Sequence, residues 1–468
     1  MPQAPSVTLP KRLPLVIKPE NRQNSTDKDS KLVNCYSERT ETGEYWIYKR
    51  AGTRRSSRPP GANAAGAGMW NWLGDIYSIF GATMYKNGVA LVGALNTAGG
   101  VYRFDSCLGA TPKLIFGNGI AAYTYDSGAG IVEITDGDFP ATFVKGWAYL
   151  NGVTYVATAT AHIQGSDTND PQNWDPLNDI LAQIEPDQGI GLAKQLVYVA
   201  IFKQWSTEIF YDAGNAAGSP LGPVQGAKVN YGCVSSDSIQ SIDGILIWVC
   251  TNQSASSQII KMDGLKAEII STNPVERLLD NADFDTVYSL QLKNEGHRFY
   301  ILTAKDSNLT LVYDLDEKMW SQWTDAHGNY WPFVASTYDA TTLRHQFQHE
   351  TDGRIYLVNE AYYTDAGEII TVEVVTPNFD GEVDRRKQMN RLTFVADLVE
   401  GSELQVRVND YDYDPDKWSN WRTVSLDKKL PMLSNCGTFI RRAHQFRQQK
   451  PTAFRLKAIN MQIDLGTL

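Results

Sequence analysis

HRFYILTAKDSNLTLVYDLDEKMWSQW, residues 297–323, decides the fold class of this chain. Two runs of β-branched and aromatic residues, 297–304 and 309–316, are separated by a short polar turn, as in an antiparallel hairpin. An acidic turn follows, and Trp320 and Trp323 come soon after it, an order that recurs in the blades of β-propellers. The stretch therefore predicts consecutive antiparallel strands.

Strands of the same kind continue from Trp70 to about Thr376, with Gly, Asn or Asp at the turns between them. Strand ends of the form apolar–polar–apolar–Asp recur at Asp105, Asp167, Asp212, Asp263, Asp316 and, with Asn in place of Asp, at Asn359. Four strands with their turns need about 40–50 residues, which is close to this spacing. The repeat predicts an all-β fold whose body is a β-propeller of about six blades; a pair of stacked β-sandwiches is the alternative.

Composition divides the chain into three regions. Residues 1–65 are rich in Pro, Gly and Arg and predict an extended N-terminal arm, either a disordered tail or a segment that orders on a neighbouring subunit. Residues 66–376 form the propeller body. Residues 377–468 alternate apolar and polar side chains and predict a C-terminal β-rich domain that resembles a sandwich.

Charge follows the same division. Residues 1–65 carry 12 Lys/Arg and 6 Asp/Glu, residues 66–380 carry 16 and 36, and residues 381–468 carry 15 and 11. Binding to a phosphate backbone needs dense Lys and Arg, because the affinity comes from counterion release. The acidic body excludes a nucleic-acid-binding main surface, although duplex DNA could pass beside it without adhering.

No motif in the sequence points to a catalytic centre, a metal or a cofactor. The five cysteines form no CxxC pair, so neither a zinc site nor a disulfide scaffold is predicted. A calcium loop that began at Asp410, in the acidic run 409–418, would need Gly and Glu at the positions of Pro415 and Trp421, and HQFQH (residues 345–349) lacks the Glu of a zinc protease. No apolar run is long enough to span a bilayer. We expect a non-enzyme, made in a reducing compartment, without stable membrane insertion.

Several segments, taken in order, resemble one family. They are LVNCYSE (32–38), YKRAG (48–52), DIYSIFGATMYK (75–86), NWDPLNDILAQIEPDQGIGL (173–192), ISTNPVERLLDN (270–281) and RRAHQFRQQKPTAFRLKAINMQIDL (441–465). Together they resemble the tail-nozzle proteins of short-tailed bacteriophages, also called packaged-DNA stabilisation proteins. One departure is Gln188, which is inserted in the turn that runs from Glu185 to Gly189.

The resemblance implies a structural virion protein of the tail, made in the host bacterial cytoplasm. Its copies would form a ring, hexameric by resemblance, that extends the portal–adaptor channel, retains packaged DNA and allows its ejection. The implied partners are further copies of the chain, the head-to-tail adaptor protein, a tailspike or fibre, and DNA that passes without sequence-specific binding. We expect Asn34, Cys35, Tyr36, Arg54 and Arg55 to contact a neighbouring subunit or the adaptor, unless the arm is simply solvated.

Two other classes of function remain open at this point. A propeller-type tail component could bind or cleave glycans, since exposed aromatic side chains stack on sugars. A propeller could also serve as an interaction hub in a cell. Fold alone does not separate these classes, because propellers support many functions.

Overall fold

Alternating apolar residues and tight turns fold the middle of the chain into successive four-stranded antiparallel sheets. The computed structural model describes residues 10–13, 30–40, 44–252 and 255–465. The first four sheets, which we call blades 1 to 4, comprise Gly66–Trp72, Asp75–Phe80, Thr83–Lys86 and Val89–Ala90; Arg103–Cys107, Lys113–Gly117, Ala122–Asp126 and Gly130–Glu133; Ala148–Leu150, Val153–Ala157, His162–Asp167 and Asp170–Leu181; and Gly189–Gln195, Tyr198–Lys203, Thr207–Asp212 and Leu221–Pro223.

Three more sheets of the same kind complete a β-propeller. Blades 5 to 7 comprise Gln240–Ile242, Ile245–Asn252, Ala255–Asp263 and Lys266–Ile269; Val287–Asn294, His297–Ala304, Leu309–Asp314 and Met319–Gln322; and Phe333–Asp339, Arg344–His349, Ile355–Asn359 and Gly52–Ser57. The first strand of each blade is innermost, and that of blade 7 lies against those of blades 6 and 1, so the ring is closed.

Blade 7 takes its outermost strand from the N-terminal part of the chain. Gly52–Ser57, which we call the closing strand, runs antiparallel to Ile355–Asn359, with Thr53 opposite Val358. Two segments distant in sequence therefore share one sheet, and separating blade 7 from the N-terminal region would break its main-chain hydrogen bonds.

The all-β propeller predicted from the sequence is confirmed, but the described residues form seven blades where the Asp repeat predicts about six. The repeat falls on the end of the third strand in blades 3, 4, 5 and 7, and in blade 6 Asp316 lies two residues beyond the strand end at Asp314. In blade 2 the equivalent residue is Asp126 rather than Asp105, which lies in the innermost strand. In blade 1 the third strand ends at Lys86, so no Asp marks this blade.

Neighbouring blades pack through large apolar side chains. Between blades 4 and 5, for example, the Phe202 and Trp248 rings meet edge to face at a centroid distance of 4.9 Å, and both side chains are fully buried. One short helix, Asn273–Asp280, lies between blades 5 and 6, and its Pro274 occupies the first turn, where a missing N–H costs nothing.

Strands from both ends of the chain form two sheets that enclose a second core. One sheet contains Lys31–Val33, Val372–Val375, Ala443–Gln448, Glu403–Asn409 and Arg422–Ser425; the other contains Pro10–Arg12, Cys35–Arg39, Tyr45–Lys49, Arg455–Leu465, Lys387–Ala396, Met432–Ser434 and Thr438–Phe439. Buried side chains from both sheets, among them Phe394, Phe446 and Ile459, make one apolar cluster. We call this unit the sandwich. Two short hairpin strands, Thr364–Asp365 and Glu368–Ile369, lie beside the closing strand.

The described residues of the predicted N-terminal arm do not form an independent segment. They lie as strands within the sandwich and the propeller of their own chain, because residues such as Leu32, Cys35 and Ile47 are apolar and fill the sandwich core. The rest of the predicted arm lies outside the described residues. Lys31–Val33 also pairs with Met319–Gln322, so one continuous sheet joins the sandwich to blade 6. The boundaries at residues 65 and 376 stay predictions.

Candidate functional site

Arg54 and Arg55 are the two exposed members of the set predicted to contact a neighbouring subunit or the adaptor. They lie on the closing strand and line an open groove of about 490 Å³ with Tyr362, Tyr363 and Pro451. A hydrogen bond with Tyr356 raises the pKa of the Arg55 guanidinium. The groove thus presents two cations and two phenol rings at the rim of blade 7, a composition typical of contact surfaces between proteins.

Asn34, Cys35 and Tyr36, the other three predicted contact residues, are buried within the chain. The Asn34 side chain donates to Thr324 Oγ1 at 2.8 Å and to the Thr371 carbonyl at 2.9 Å. The Tyr36 hydroxyl donates to Glu295 Oε2 at 2.7 Å, and burial together with that carboxylate raises the pKa of the phenol. In this fold these side chains bind the sandwich to blade 6 and are not accessible to another subunit, so their predicted contact role stays unsupported by geometry.

A buried polar cluster surrounds Arg50, a residue that the sequence analysis did not single out. Its guanidinium is 1% exposed and donates to both carboxylate oxygens of Asp365, at 2.5 and 3.1 Å. It also donates to Asn34 Oδ1 at 2.9 Å and lies 5.4 Å from the ring centroids of Trp323 and Trp331. One side chain therefore holds together the end of blade 6, the start of blade 7, the closing strand and the sandwich.

The central axis of the propeller is a cavity of about 440 Å³, lined by the innermost strands of six blades and by Gly146 and Trp147, which directly precede that of blade 3. One end is occupied by an ion cluster. Lys145 lies 2.5 Å and Arg103 lies 3.6 Å from the carboxylate of Asp237, and Arg103 also donates to the Ser236 carbonyl at 3.1 Å. Arg103 belongs to blade 2, whereas Asp237 immediately precedes blade 5, so the cluster spans the axis. A duplex whose major groove alone is about 12 Å wide does not pass through such a space.

One face of the propeller combines carboxylates with exposed leucines. In an antiparallel blade the first turn and the end of the third strand lie on the same face, which we call the turn face. Asp167, Asp263 and Asp316 are exposed there. Leu73 and Leu343 lie in first turns with positive φ, at 52° and 54°, and are 66% and 71% exposed. A left-handed backbone conformation is unfavourable for leucine, and an exposed leucine gains no stabilisation from burial. Both residues therefore lower the stability of the chain locally.

The two sequence segments considered as metal sites have other partners. Asp410 pairs with Arg442 and Asp412 with Arg441, while Asp414 caps the short 3₁₀ helix Pro415–Lys417. His349 Nδ1 accepts from two backbone N–H groups. Within the described ranges, no three His, Cys, Asp or Glu side chains are grouped closely enough to hold a metal ion.

Residues 15–362 match the family described as bacteriophage P22 Gp10, beta-propeller. The chain belongs to this family. Membership identifies a structural protein of the phage tail with a role in stabilising packaged DNA, and it assigns the chain to the virion. The recognition made from segments such as DIYSIFGATMYK is thereby confirmed. No curated protein matches the sequence. In the part of the chain that the structure describes, no helix has the length and apolarity to cross a membrane.

Solved structures with a similar chain path are distant in sequence. They include the extracellular domain of the one-component system BT4673 from B. thetaiotaomicron (8% identity, 86% of this chain and 58% of that one, TM-score 0.42). Virginiamycin B lyase from Staphylococcus aureus matches over 65% of this chain and 97% of its own, with 8% identity and a TM-score of 0.43. The WD40 β-propeller domain of Doa1 matches over 66% and 97%, with 7% identity and a TM-score of 0.40. At these TM-scores none of the three bears on function.

Proposed function

We propose that this protein is the tail-nozzle subunit, whose copies form a ring that extends the portal–adaptor channel, retains packaged DNA and releases it on ejection. The observation that carries the proposal is the axis closed by Arg103, Lys145 and Asp237 in a member of a DNA-stabilising tail family. Because the propeller itself offers no passage, DNA would run between subunits, along a wall built from their outer surfaces. The proposed partners are other copies, the adaptor ring and a tailspike or fibre, and we expect no catalytic activity.

The charge of the propeller suits a wall along which DNA slides. Residues 66–380 carry 36 Asp/Glu against 16 Lys/Arg. Carboxylates release no counterions from the phosphate backbone of DNA. A negatively charged surface therefore adds no affinity for DNA and does not slow its movement. We assign the turn face, with Asp167 and Asp263 exposed, to the DNA side of the ring.

The copy number of this chain in purified virions tests the assignment to the nozzle. Quantitative peptide mass spectrometry against the portal protein should give a small fixed ratio, as for any component of a closed ring. A variable ratio, or absence from virions, would remove the nozzle assignment and make glycan binding the next question.

The DNA-facing wall is tested by charge reversal. Asp167→Lys with Asp263→Lys should slow DNA ejection in vitro, more at low than at high salt, because new phosphate contacts are screened by ions. Asp138→Lys with Asp306→Lys makes the same change at exposed turns of the opposite face and should not affect ejection. Equal rates of DNA ejection for the two double variants would mean that DNA does not run along the turn face.

Arg54 and Arg55 are proposed as ring contacts, because they are exposed cations on a chain whose propeller is acidic. Arg54→Glu with Arg55→Glu should reduce the oligomer in light scattering of the purified protein. The control is Arg385→Glu with Arg386→Glu, an adjacent exposed pair on the sandwich. An unchanged oligomer in the first variant would contradict this contact.

A further inference from the structure

The axial cavity is a cup with one polar, closed end. The ion cluster of Arg103, Lys145 and Asp237 forms its floor, at the end where the innermost strands of blades 2, 3 and 5 begin. The opposite end lies at the turn face, where Leu196 contributes to the lining. A volume of about 440 Å³ lies in the range of pockets that hold small organic molecules.

The wall of the cup includes aromatic surface that no protein group covers completely. Trp70 is 37% exposed although it sits in the innermost strand of blade 1, and it stacks on Phe104 with ring centroids 6.0 Å apart and planes 11° apart. Met69, Trp147 and Leu192 also border the cavity, and their side chains are buried in the apolar cores of the propeller. An indole with one face packed and part of its surface open is a platform for a flat ring.

The lining of the cup includes two cationic side chains. Within the described residues, the Lys194 ammonium makes no hydrogen bond; it lies 5.9 Å from the Tyr149 ring centroid, and its charge acts on the carboxyl group of Asp105. Arg103 adds a second lining cation.

The carboxylate nearest to these donors is already satisfied. Asp105 accepts from the backbone N–H of Ser106 through Oδ1 and from that of Tyr149 through Oδ2, each at 2.8 Å. Asp237, in the floor, is held by Lys145 at 2.5 Å and lies 3.6 Å from Arg103. A carboxylate with both oxygens bonded to the backbone, such as Asp105, competes poorly for a mobile cation. The Lys194 ammonium is therefore open to a negative group of a ligand.

We propose that the axial cup binds a small organic anion with a flat ring: the ring lies on Trp70, and its carboxylate or phosphate group faces Lys194. This site is independent of the proposed nozzle role, because it needs only the folded propeller. The ligand class follows from the open indole, the volume and the Lys194 ammonium, which makes no hydrogen bond within the described residues.

Calorimetric titration of the full purified chain with benzoate tests the site. Benzoate carries a ring and one carboxylate, and we expect a dissociation constant of about 1 mM or below. Benzamide has the same shape without the charge and should bind at least tenfold more weakly. Benzamide binding as tight as benzoate, binding of inorganic phosphate without benzoate, or no heat with any of the three would overturn the proposal.

Variants of Lys194 distinguish the loss of its charge from a loss of folding. Lys194→Gln should weaken benzoate at least tenfold, whereas Lys194→Arg should keep most of the affinity. Lys266→Gln, at an exposed lysine on the outer edge of blade 5, is the matched control and should bind as the wild type does. Circular dichroism confirms that each variant folds. Wild-type affinity in folded Lys194→Gln would also overturn the proposal.

Discussion

Arg50 and Asp365 form a buried two-contact ion pair although 315 positions separate them in the chain. Arg50 lies between the sandwich strand Tyr45–Lys49 and the closing strand, and Asp365 lies in a hairpin strand beside the closing strand. Thr53 Oγ1 donates to the same carboxylate at 3.1 Å. The pair therefore fixes the point at which the propeller ring is closed and the sandwich is attached.

Arg50→Met should lower the free energy of unfolding by about 3–5 kcal/mol, because it leaves a largely buried carboxylate without its partner. Urea denaturation followed by fluorescence measures this. Arg298→Met removes partly exposed pairs with Asp316 and Asp243 and should cost less than about 1 kcal/mol. Equal losses in the two variants would mean that Arg50 does not hold the closure.

Gly146→Ala should destabilise the protein far more than Gly214→Ala. Both glycines have positive φ, 115° and 65°, so both substitutions strain the backbone by about 1–2 kcal/mol. At Gly146 an added Cβ would also lie 1.9 Å from the carbonyl oxygen of Leu192, whereas nothing lies within 4 Å at Gly214. We expect several kcal/mol more loss at Gly146 in thermal unfolding. Similar melting temperatures would show that blades 3 and 4 can separate without cost.

Acid should lower the stability of the sandwich, because the buried His444 side chain resists protonation in the folded state. Burial lowers the pKa of this imidazole from 6.5 to about 3, and Arg442 adds to the shift. The folded state therefore resists protonation while the unfolded state does not, so stability present above pH 6.5 is lost as the pH falls from 6.5 towards 3. Between pH 7 and 5 the loss is about 2 kcal/mol.

His444→Phe removes this titration and keeps a ring beside Phe446, on which His444 stacks with planes 4° apart. Denaturation of both proteins at pH 7 and pH 5 should show a smaller drop for the variant. A drop as large as that of the wild type would assign the acid sensitivity to other groups.

Thiol reagents should modify Cys436 first in the native protein. Cys35, Cys107, Cys233 and Cys250 are buried, and burial raises the pKa of Cys233 and of Cys250 to about 12. Thiolate is the reactive form, so these groups react slowly. Mass spectrometry after brief alkylation should find label at Cys436 alone, and at all five residues once urea is added. Rapid native labelling of Cys35 would show that the sandwich opens readily.

Leu73→Asn with Leu343→Asn should stabilise the isolated chain, because asparagine tolerates positive φ better than leucine and both side chains are exposed. We expect a gain of about 0.5–1 kcal/mol per site in thermal unfolding. Leu108→Asn, at an exposed leucine absent from the positive-φ residues, should give no such gain. A loss of stability in the double variant would mean that the leucines make stabilising contacts within the chain.

Local patterns predicted the blades well, because each is built from strands adjacent in sequence. The Asp repeat marks the third-strand ends of blades 3, 4, 5 and 7 and lies two residues beyond that of blade 6. It misses blade 2, where Asp105 lies in the innermost strand, and blade 1, where Lys86 ends the third strand. The closing strand could not be predicted from the sequence, since GTRRSS is polar and its partner strand Ile355–Asn359 lies far along the chain. The burial of Asn34 and the role of Arg50 follow from the same long-range pairing, which no local pattern encodes.

The position of the closing strand also determines when the propeller can close during synthesis. A ribosome that adds about 5–20 residues per second makes Arg50 roughly 15–60 s before Asp365. During that interval Gly52–Ser57 has no partner, and the first six blades form an open arc with an apolar edge at each end. Such long-range closure is slow and leaves strand edges available to other chains. Truncated chains that end before blade 7 should therefore aggregate, so yield in the host will depend on how quickly each nascent chain reaches its own N-terminal strand.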